Sequence, residues 1–319
     1  MITDVLFIII GIVIVLMGAD KLTEAASSLA RGMKIPEIVI GLTIVSMGTS
    51  APELFVSLTS ALQHTPDMAL GNVIGSNIFN TLLIVGCAAI VAPMTIAHTT
   101  VSKDIPFSLL ASALLVVLCM DDFSSVQITG HVLSRTDGVV LLLCLALFMW
   151  LTYRVAMRNR KETTVAPPSM PWWRAVLWMA LGLGALVLGS DLFVSSASDL
   201  AVSLGMSQAV VGLTIVAGGT SLPELATSMV SAKKGNSDIA IGNVIGSNMF
   251  NILMIIGITG LVKPMHIAGI TPVDLTMLLV SMLLLWLFCR TKYAVKRWEG
   301  AVLTVVYMAY LAWLIANAV

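Results

Sequence analysis

The sequence predicts an all-α membrane protein: ten transmembrane helices arranged as two five-helix repeats of inverted topology. Three observations predict it. Hydrophobic residues make up 58% of the 319 residues and charged residues 11%, with a mean hydropathy of +1.00, against about 25% charged residues in a soluble domain. An internal duplication runs through the chain: Gly41–Ser50 (GLTIVSMGTS) falls on Gly212–Ser221 (GLTIVAGGTS) at an offset of 171 with two mismatches, and Gly71–Asn80 (GNVIGSNIFN) falls on Gly242–Asn251 (GNVIGSNMFN) with one. Lys and Arg are distributed so that matching loops of the two copies belong on opposite sides of a membrane.

Runs of about 20 apolar residues, the length a helix needs to cross a bilayer, recur along the chain. They are expected as ten spans at roughly 4–27, 37–62, 68–92, 104–120, 137–157, 172–199, 208–232, 238–262, 273–290 and 299–317. Alternating strand-like patterning is absent, which argues against a β-barrel. The chain begins Met-Ile-Thr-Asp with no basic residue before the first apolar run, so that run is expected to be a spanning helix and not a cleaved leader. Residues 1–157 are expected to form the first repeat, 158–171 a polar, proline-rich cytoplasmic linker, and 172–319 the second repeat. The duplication extends outward, with Gly18-Ala-Asp20 matching Gly189-Ser-Asp191 and Pro93-Met94 matching Pro264-Met265, which leaves no separate domain for another function.

Orientation follows from the basic residues. With the N-terminus outside, the inner loops and the inner end of span one hold fifteen of the 17 Lys and Arg residues, and the outer loops hold only Arg135 and Lys263. Both termini are therefore expected outside, in a multi-pass cell (inner, cytoplasmic) membrane. The loop after the first copy is QHTPD and the loop after the second is KKGNSD. An odd number of spans per copy inverts one half relative to the other about an axis in the membrane plane.

Net charge is zero, so nothing points to nucleic acid. The lipid bilayer is an expected partner, and no obligate protein partner is evident. The four cysteines (Cys87, Cys119, Cys144, Cys289) lack Cys-x-x-Cys spacing and are expected as buried apolar residues. Methionines are expected as apolar filling and Trp residues as interfacial anchors. No Gly-x-x-x-x-Gly-Lys-Ser/Thr string is present, and no cofactor is expected.

The chemistry concentrates in the duplicated strings. Glu53 and Glu224 each follow Gly-Thr-Ser-x-Pro near the middle of an apolar run. An ionised side chain there costs roughly 2.5–3.5 kcal/mol on insertion scales. No Lys or Arg lies at comparable depth, which leaves a proton or a bound cation as the partner. Thr49 and Ser50, four and three residues before Glu53, are expected on its helix face. Pro52 cannot donate to the carbonyl of Gly48, and freed carbonyls at membrane depth need a partner. Thr220, Ser221, Pro223 and Glu224 repeat the arrangement. Carboxylate, hydroxyl and carbonyl oxygens are the ligands hard cations such as Ca²⁺ take, about six to eight of them. The adjacent span adds a stripe of Asn72, Ser76 and Asn80, repeated as Asn243, Ser247 and Asn251. Gly71, Gly75, Gly242 and Gly246 form small-xxx-small pairs that serve helix packing as readily as binding. Asp20 and Asp191 belong towards span ends, and Asp104 and Asp274 at helix starts, where a carboxylate suits the helix dipole.

At GTSAPELFVS, GTSLPELATS and the two GNVIGSN strings the sequence resembles the sodium/calcium exchanger family of cation/calcium antiporters. The resemblance covers essentially all ten spans. It implies a Ca²⁺ site formed by Glu53 and Glu224 with backbone oxygens of Thr49 and Thr220, and Na⁺ sites completed by Ser50, Ser76, Asn80, Ser221, Ser247 and Asn251. It also implies backbone ligands at Ser46 and Ala217. Sodium-coupled members often carry an Asp at one of the positions held here by Asn80 and Asn251; both are amides here. Two carboxylates balance one Ca²⁺ or two Na⁺, and a third Na⁺ would carry an uncompensated charge in a low-dielectric site.

The resulting expectation is a secondary antiporter, not an enzyme, that exchanges Ca²⁺ or a similar divalent cation for Na⁺ by alternating access at a midplane site. H⁺/Ca²⁺ exchange is the rival, because a desolvated carboxylate can hold a proton in place of a metal. K⁺-dependent Na⁺/Ca²⁺ exchange keeps the same fold. A passive cation channel would conduct without a counter-ion, and an intramembrane enzyme lacks any nucleophile or metal-protease motif.

Overall fold

The computed structural model describes residues 2–63, 65–120, 131–159, 167–204, 217–267 and 269–318. In hydrocarbon each backbone N–H must find its acceptor within its own segment, so the apolar runs fold as helices. The chain begins with α1 (Ile2–Met33), followed by α2 (Glu37–Ile40), a π-helical turn over Gly41–Val45, α3 (Ser46–Thr49) and α4 (Ala51–Leu62). A long helix follows as α5 (Pro66–Ile78), a π-helical turn over Phe79–Ile84 and α6 (Val85–Val91). The first half closes with α7 (Ile105–Cys119), preceded by a π-helical turn over Thr100–Asp104, and α8 (Arg135–Asn159).

The second half runs through α9 (Trp172–Ser203), α10 (Ala217–Gly219) and α11 (Leu222–Lys233). It continues with α12 (Ser237–Met249), a π-helical turn over Phe250–Ile256 and α13 (Gly257–Val262), then α14 (Pro272–Arg290) and α15 (Arg297–Ala318). Among the described residues eight helices are long and apolar enough to cross a bilayer. The bent pair Glu37–Thr49 and Ala51–Leu62, at 45°, makes a ninth. The span expected over 208–232 starts in residues 205–216, which lie outside the described residues, and is described from Ala217 onward.

Burial separates two helices from the rest. The apolar stretch of Ser237–Val262 is 100% buried and that of Pro66–Val91 78%, whereas the other six spanning helices are 22% to 39% buried. The buried pair is the one that carries the GNVIGSN strings. The outer helices turn residues such as Phe55, Leu110, Leu143 and Leu188 outward, the surface a bilayer covers. Among these outer helices α1 and α9 pack closely. A Cβ on Gly11 would meet Gly189 O at 2.8 Å and one on Gly18 would meet Gly182 O at 2.9 Å. Rising numbers on one helix meet falling numbers on the other, so the two run antiparallel, and only glycine permits so close an approach.

Two short ribbons cap the bundle. β1 (Met94–Thr95) pairs antiparallel with β4 (Ala294–Val295), and β2 (His131–Leu133) with β3 (Met265–Ile267). α7 runs from the first ribbon to the second, and α14 runs back from the second to the first. Four tryptophans lie against basic side chains: Arg154, Arg174, Arg290 and Lys21 sit over Trp150, Trp173, Trp286 and Trp178 at 4.1, 5.1, 4.9 and 5.6 Å from the ring centres. Asp274 forms a capping box with Thr271, as its place at a helix start predicts. Asp104 does not cap: it ends a π-helical turn that has already begun at Thr100 and makes no capping bond.

Candidate cation-binding site

Two helix breaks create the site. Ser50 (φ −81°, ψ 7°) and Ser221 (φ −92°, ψ 10°) leave the helical region, and Pro52 and Pro223 open the helices that follow. Proline is tolerated there because the first turn has no intrahelical acceptor for its missing N–H. Glu53 and Glu224 therefore fall in the first turns of α4 and α11, at the positive ends of two short helices. Both are completely buried.

The hydroxyls are exchanged between the repeats. Ser221 Oγ donates to Glu53 Oε1 at 3.0 Å, and Ser50 Oγ donates to Glu224 Oε1 at 3.1 Å. Thr220 lies beside the Glu53 carboxylate and Thr49 beside that of Glu224. Helical spacing places Thr49 and Ser50 with Glu53; instead the break at Ser50 turns their hydroxyls toward the other repeat's carboxylate. Thr49 Oγ1 is also 3.1 Å from Asn243 Oδ1.

The buried helices supply the remaining oxygens. Ser247 Oγ reaches Glu224 Oε1 at 3.5 Å. Asn80 and Asn251 lie in the π-helical turns that follow α5 and α12, where the widened helix presents a residue out of the ordinary register. Asn72 and Asn243 hold the glutamate backbones: Asn72 Nδ2 donates to Glu53 O (3.4 Å) and Ser57 Oγ (3.0 Å), and Asn243 Nδ2 to Glu224 O (3.3 Å) and Ser228 Oγ (3.0 Å).

Five oxygens of these residues have no hydrogen-bond partner although they are buried: Glu53 Oε2, Glu224 Oε2, Ser76 Oγ, Asn80 Oδ1 and Asn251 Oδ1. A buried acceptor without a donor costs about 1–3 kcal/mol, more when charged. These five fall in the duplicated motifs, and carboxylate, amide and hydroxyl oxygens are the groups that hard cations take as ligands. Among the described residues no three His, Cys, Asp or Glu side chains cluster as a metal site would. The donors are carboxylate, amide and hydroxyl oxygens, which suit Na⁺ or Ca²⁺ and not thiophilic metals.

All ten residues expected to bind cations are thus brought to the same pair of helix breaks and the two buried helices beside them. Ser46, expected to offer a backbone oxygen, already accepts the N–H of Ser50 at 3.0 Å and lies within 3.3 Å of the Thr49 hydroxyl. Of the glycines, Gly242 and Gly246 pack on Ile38, Leu42 and Ser46. The partners that the 171-residue offset gives Gly71 and Gly75, residues 209–217, lie almost wholly outside the described residues.

The family model for sodium/calcium exchanger proteins matches residues 3–154 and 174–316. The chain belongs to the sodium/calcium exchanger family. It is 37% identical to the putative antiporter CaxA of Alkalimonas amylolytica, over 97% of this chain and 98% of that protein. It is 32% identical to the sodium/calcium exchanger MaX1 of Methanosarcina acetivorans, over 96% and 97%. The solved structure of the sodium-calcium exchanger NCX_Mj, soaked with 2.5 mM Na⁺ and 0.1 mM Ca²⁺, matches with a TM-score of 0.82 at 29% identity and covers 98% of both chains. As a family member this is a multi-pass membrane transporter of the cation/calcium antiporter class, not an enzyme.

Two further asparagines join this buried polar network. Asn77 and Asn248 do not lie on the four-residue stripe of Asn72, Ser76 and Asn80, yet they bond directly to Asn251 and Asn80. Their signal was present: they occupy the same place in the two GNVIGSN strings.

Proposed function

We propose that this chain is a secondary antiporter exchanging Ca²⁺, or a similar divalent cation, for Na⁺ at a site between Glu53 and Glu224. The observation that carries the reading is the set of five unpartnered oxygens, two of them carboxylate, in a region with no cationic side chain. Thr49, Thr220, Ser50, Ser221, Ser76, Ser247, Asn80 and Asn251 complete the ligand set around the two carboxylates. Ca²⁺ and the coupling ion compete for the same negative charge, so only one loads at a time.

The proposed architecture is ten helices in two inverted repeats, 1–157 and 172–319, joined by a cytoplasmic linker at 158–171, with both termini outside the cytoplasmic membrane. The antiparallel α1–α9 contact supports inversion. Gly11 and Gly18 correspond to Gly182 and Gly189 at the repeat offset, and the contacts pair Gly11 with Gly189 and Gly18 with Gly182, as a two-fold axis requires. In alternating access the tightly packed α1–α9 pair moves against the buried core.

Proton coupling is the second reading. It is favoured by the amides at Asn80 and Asn251, which limit the negative charge of the site to two carboxylates. Radiolabelled Ca²⁺ uptake into proteoliposomes, with Na⁺, K⁺ and pH gradients imposed in turn, tests the proposal. Uptake driven by an outward Na⁺ gradient supports Na⁺ coupling. Uptake that follows only the pH gradient replaces it with H⁺ coupling, and a requirement for K⁺ makes the exchange K⁺-dependent. Cation currents without any counter-ion would identify a channel.

A further inference from the structure

We infer that Asn77 and Asn248 are positioning residues that turn the side-chain oxygens of Asn251 and Asn80 toward the transported cation. The inference rests on the cation site proposed above. A carboxamide has an acceptor end and a donor end of similar size. Presented with its NH₂ group forward it repels a cation, and presented with its oxygen it binds one. Something must therefore fix the orientation of Asn80 and Asn251.

Two hydrogen-bond chains do so. Asn80 Nδ2 donates to Asn248 Oδ1 (3.2 Å), Asn248 Nδ2 donates to Thr81 Oγ1 (2.8 Å), and Thr81 Oγ1 donates to Met282 Sδ (3.4 Å). A thioether carries no proton, so the chain can run in one direction only. In the second chain Asn251 Nδ2 donates to Asn77 Oδ1 (3.0 Å), and Asn77 Nδ2 donates to the backbone oxygen of Asn248 (3.4 Å). A backbone carbonyl likewise can only accept. With both NH₂ groups held on the protein side, Oδ1 of Asn80 and Oδ1 of Asn251 are the ends left without a partner. All six side chains are at most 1% exposed, so water does not compete for these bonds.

Both chains cross between the repeats, so each half sets the ligand of the other. They also differ. The offset places Ile252 at the position of Thr81 and Ala111 at that of Met282, so the branch ending on sulfur exists once. The Asn80 ligand alone depends on a soft, weak acceptor.

The test is a coupling measurement in proteoliposomes, reading the apparent KM for Ca²⁺ and the maximal rate. Asn248→Ala should raise KM about tenfold with the maximal rate nearly kept, the scale of one mis-set buried hydrogen-bonding group. In an Asn80→Asp background, where both ends of the side chain are oxygens and orientation no longer matters, the same substitution should change KM by less than about threefold. A purely structural role for Asn248 gives the same factor in both backgrounds and overturns the inference. Asn77→Ala against Asn251→Asp is the mirror pair should Asn248→Ala not fold. Met282→Leu keeps the core volume while removing the terminal acceptor; it should raise KM several-fold in the native background only, and an unchanged KM contradicts the chain's polarity. Failure of the site reading itself would be distinguishable: Glu53→Gln would then transport at the normal rate.

Discussion

Ser221 Oγ donates to Glu53 Oε1 at 3.0 Å, joining one repeat's hydroxyl to the other repeat's carboxylate, and Ser50 and Glu224 return the contact at 3.1 Å. Each half of the chain supplies a hydroxyl to the other half's buried carboxylate. Hydrogen bonds to charged groups contribute about 1.5–3 kcal/mol each. Ser50→Ala and Ser221→Ala should each raise the apparent KM for Ca²⁺ by about tenfold or more on that scale, measured as initial uptake against Ca²⁺ concentration. Unchanged KM in both variants would mean that the crossed bonds do not hold the carboxylates.

Close packing of α12 against the first repeat gives a stability prediction. A Cβ at Gly246 would collide with Ser46 Oγ and lie 2.7 Å from Leu42 O, which is backbone and cannot swing away. Gly246→Ala should therefore destabilise the detergent-solubilised protein by about 1–3 kcal/mol, the cost of overpacking a buried contact. A melting temperature equal to that of the native protein would show that the two helices part at no cost.

Lys234 Nζ pairs with Asp20 Oδ1 at 2.7 Å and with Asp20 O at 2.9 Å, tying α1 to the loop after α11. The side chains are 32% and 46% exposed, so solvent screens the pair. Lys234→Ala should lower stability by less than about 1 kcal/mol, read from thermal melting. A larger loss would show that this contact holds α1 against the core.

Topology is testable by labelling. Lys292 follows α14 beside the β1–β4 ribbon, and Thr136 opens α8 beside the β2–β3 ribbon; both are exposed. In a cysteine-free background, Thr136→Cys in intact cells should react with an impermeant maleimide, and Lys292→Cys should react only after the membrane is opened. The reverse pattern would invert the proposed orientation.

The fold was legible in the sequence where the bilayer dictates it. Apolar run length announced the spanning helices, and the 171-residue offset announced the paired glutamates. Helix ends were less legible: α1 extends to Met33, beyond the expected 4–27, because Ser28 and Arg31 interrupt the apolar run that marks a span. The crossing of Ser50 to Glu224 was hidden as well. Regular helical spacing predicts Ser50 beside Glu53, and only the 45° bend at Ser50 redirects it. Asn80 and Asn251 lie in the π-helical turns at Phe79–Ile84 and Phe250–Ile256, a local widening that four-residue periodicity does not encode, and their bonds to Asn248 and Asn77 were hidden with it.

The most direct test of the central claim is Na⁺-gradient-driven Ca²⁺ uptake by proteoliposomes containing Glu53→Gln or Glu224→Gln protein. Each substitution keeps the side chain's shape and removes half of the negative charge that a divalent cation meets. Uptake should fall at least about a hundredfold in either variant, the scale of losing a desolvated charge interaction. Uptake at the native rate in both would contradict the account.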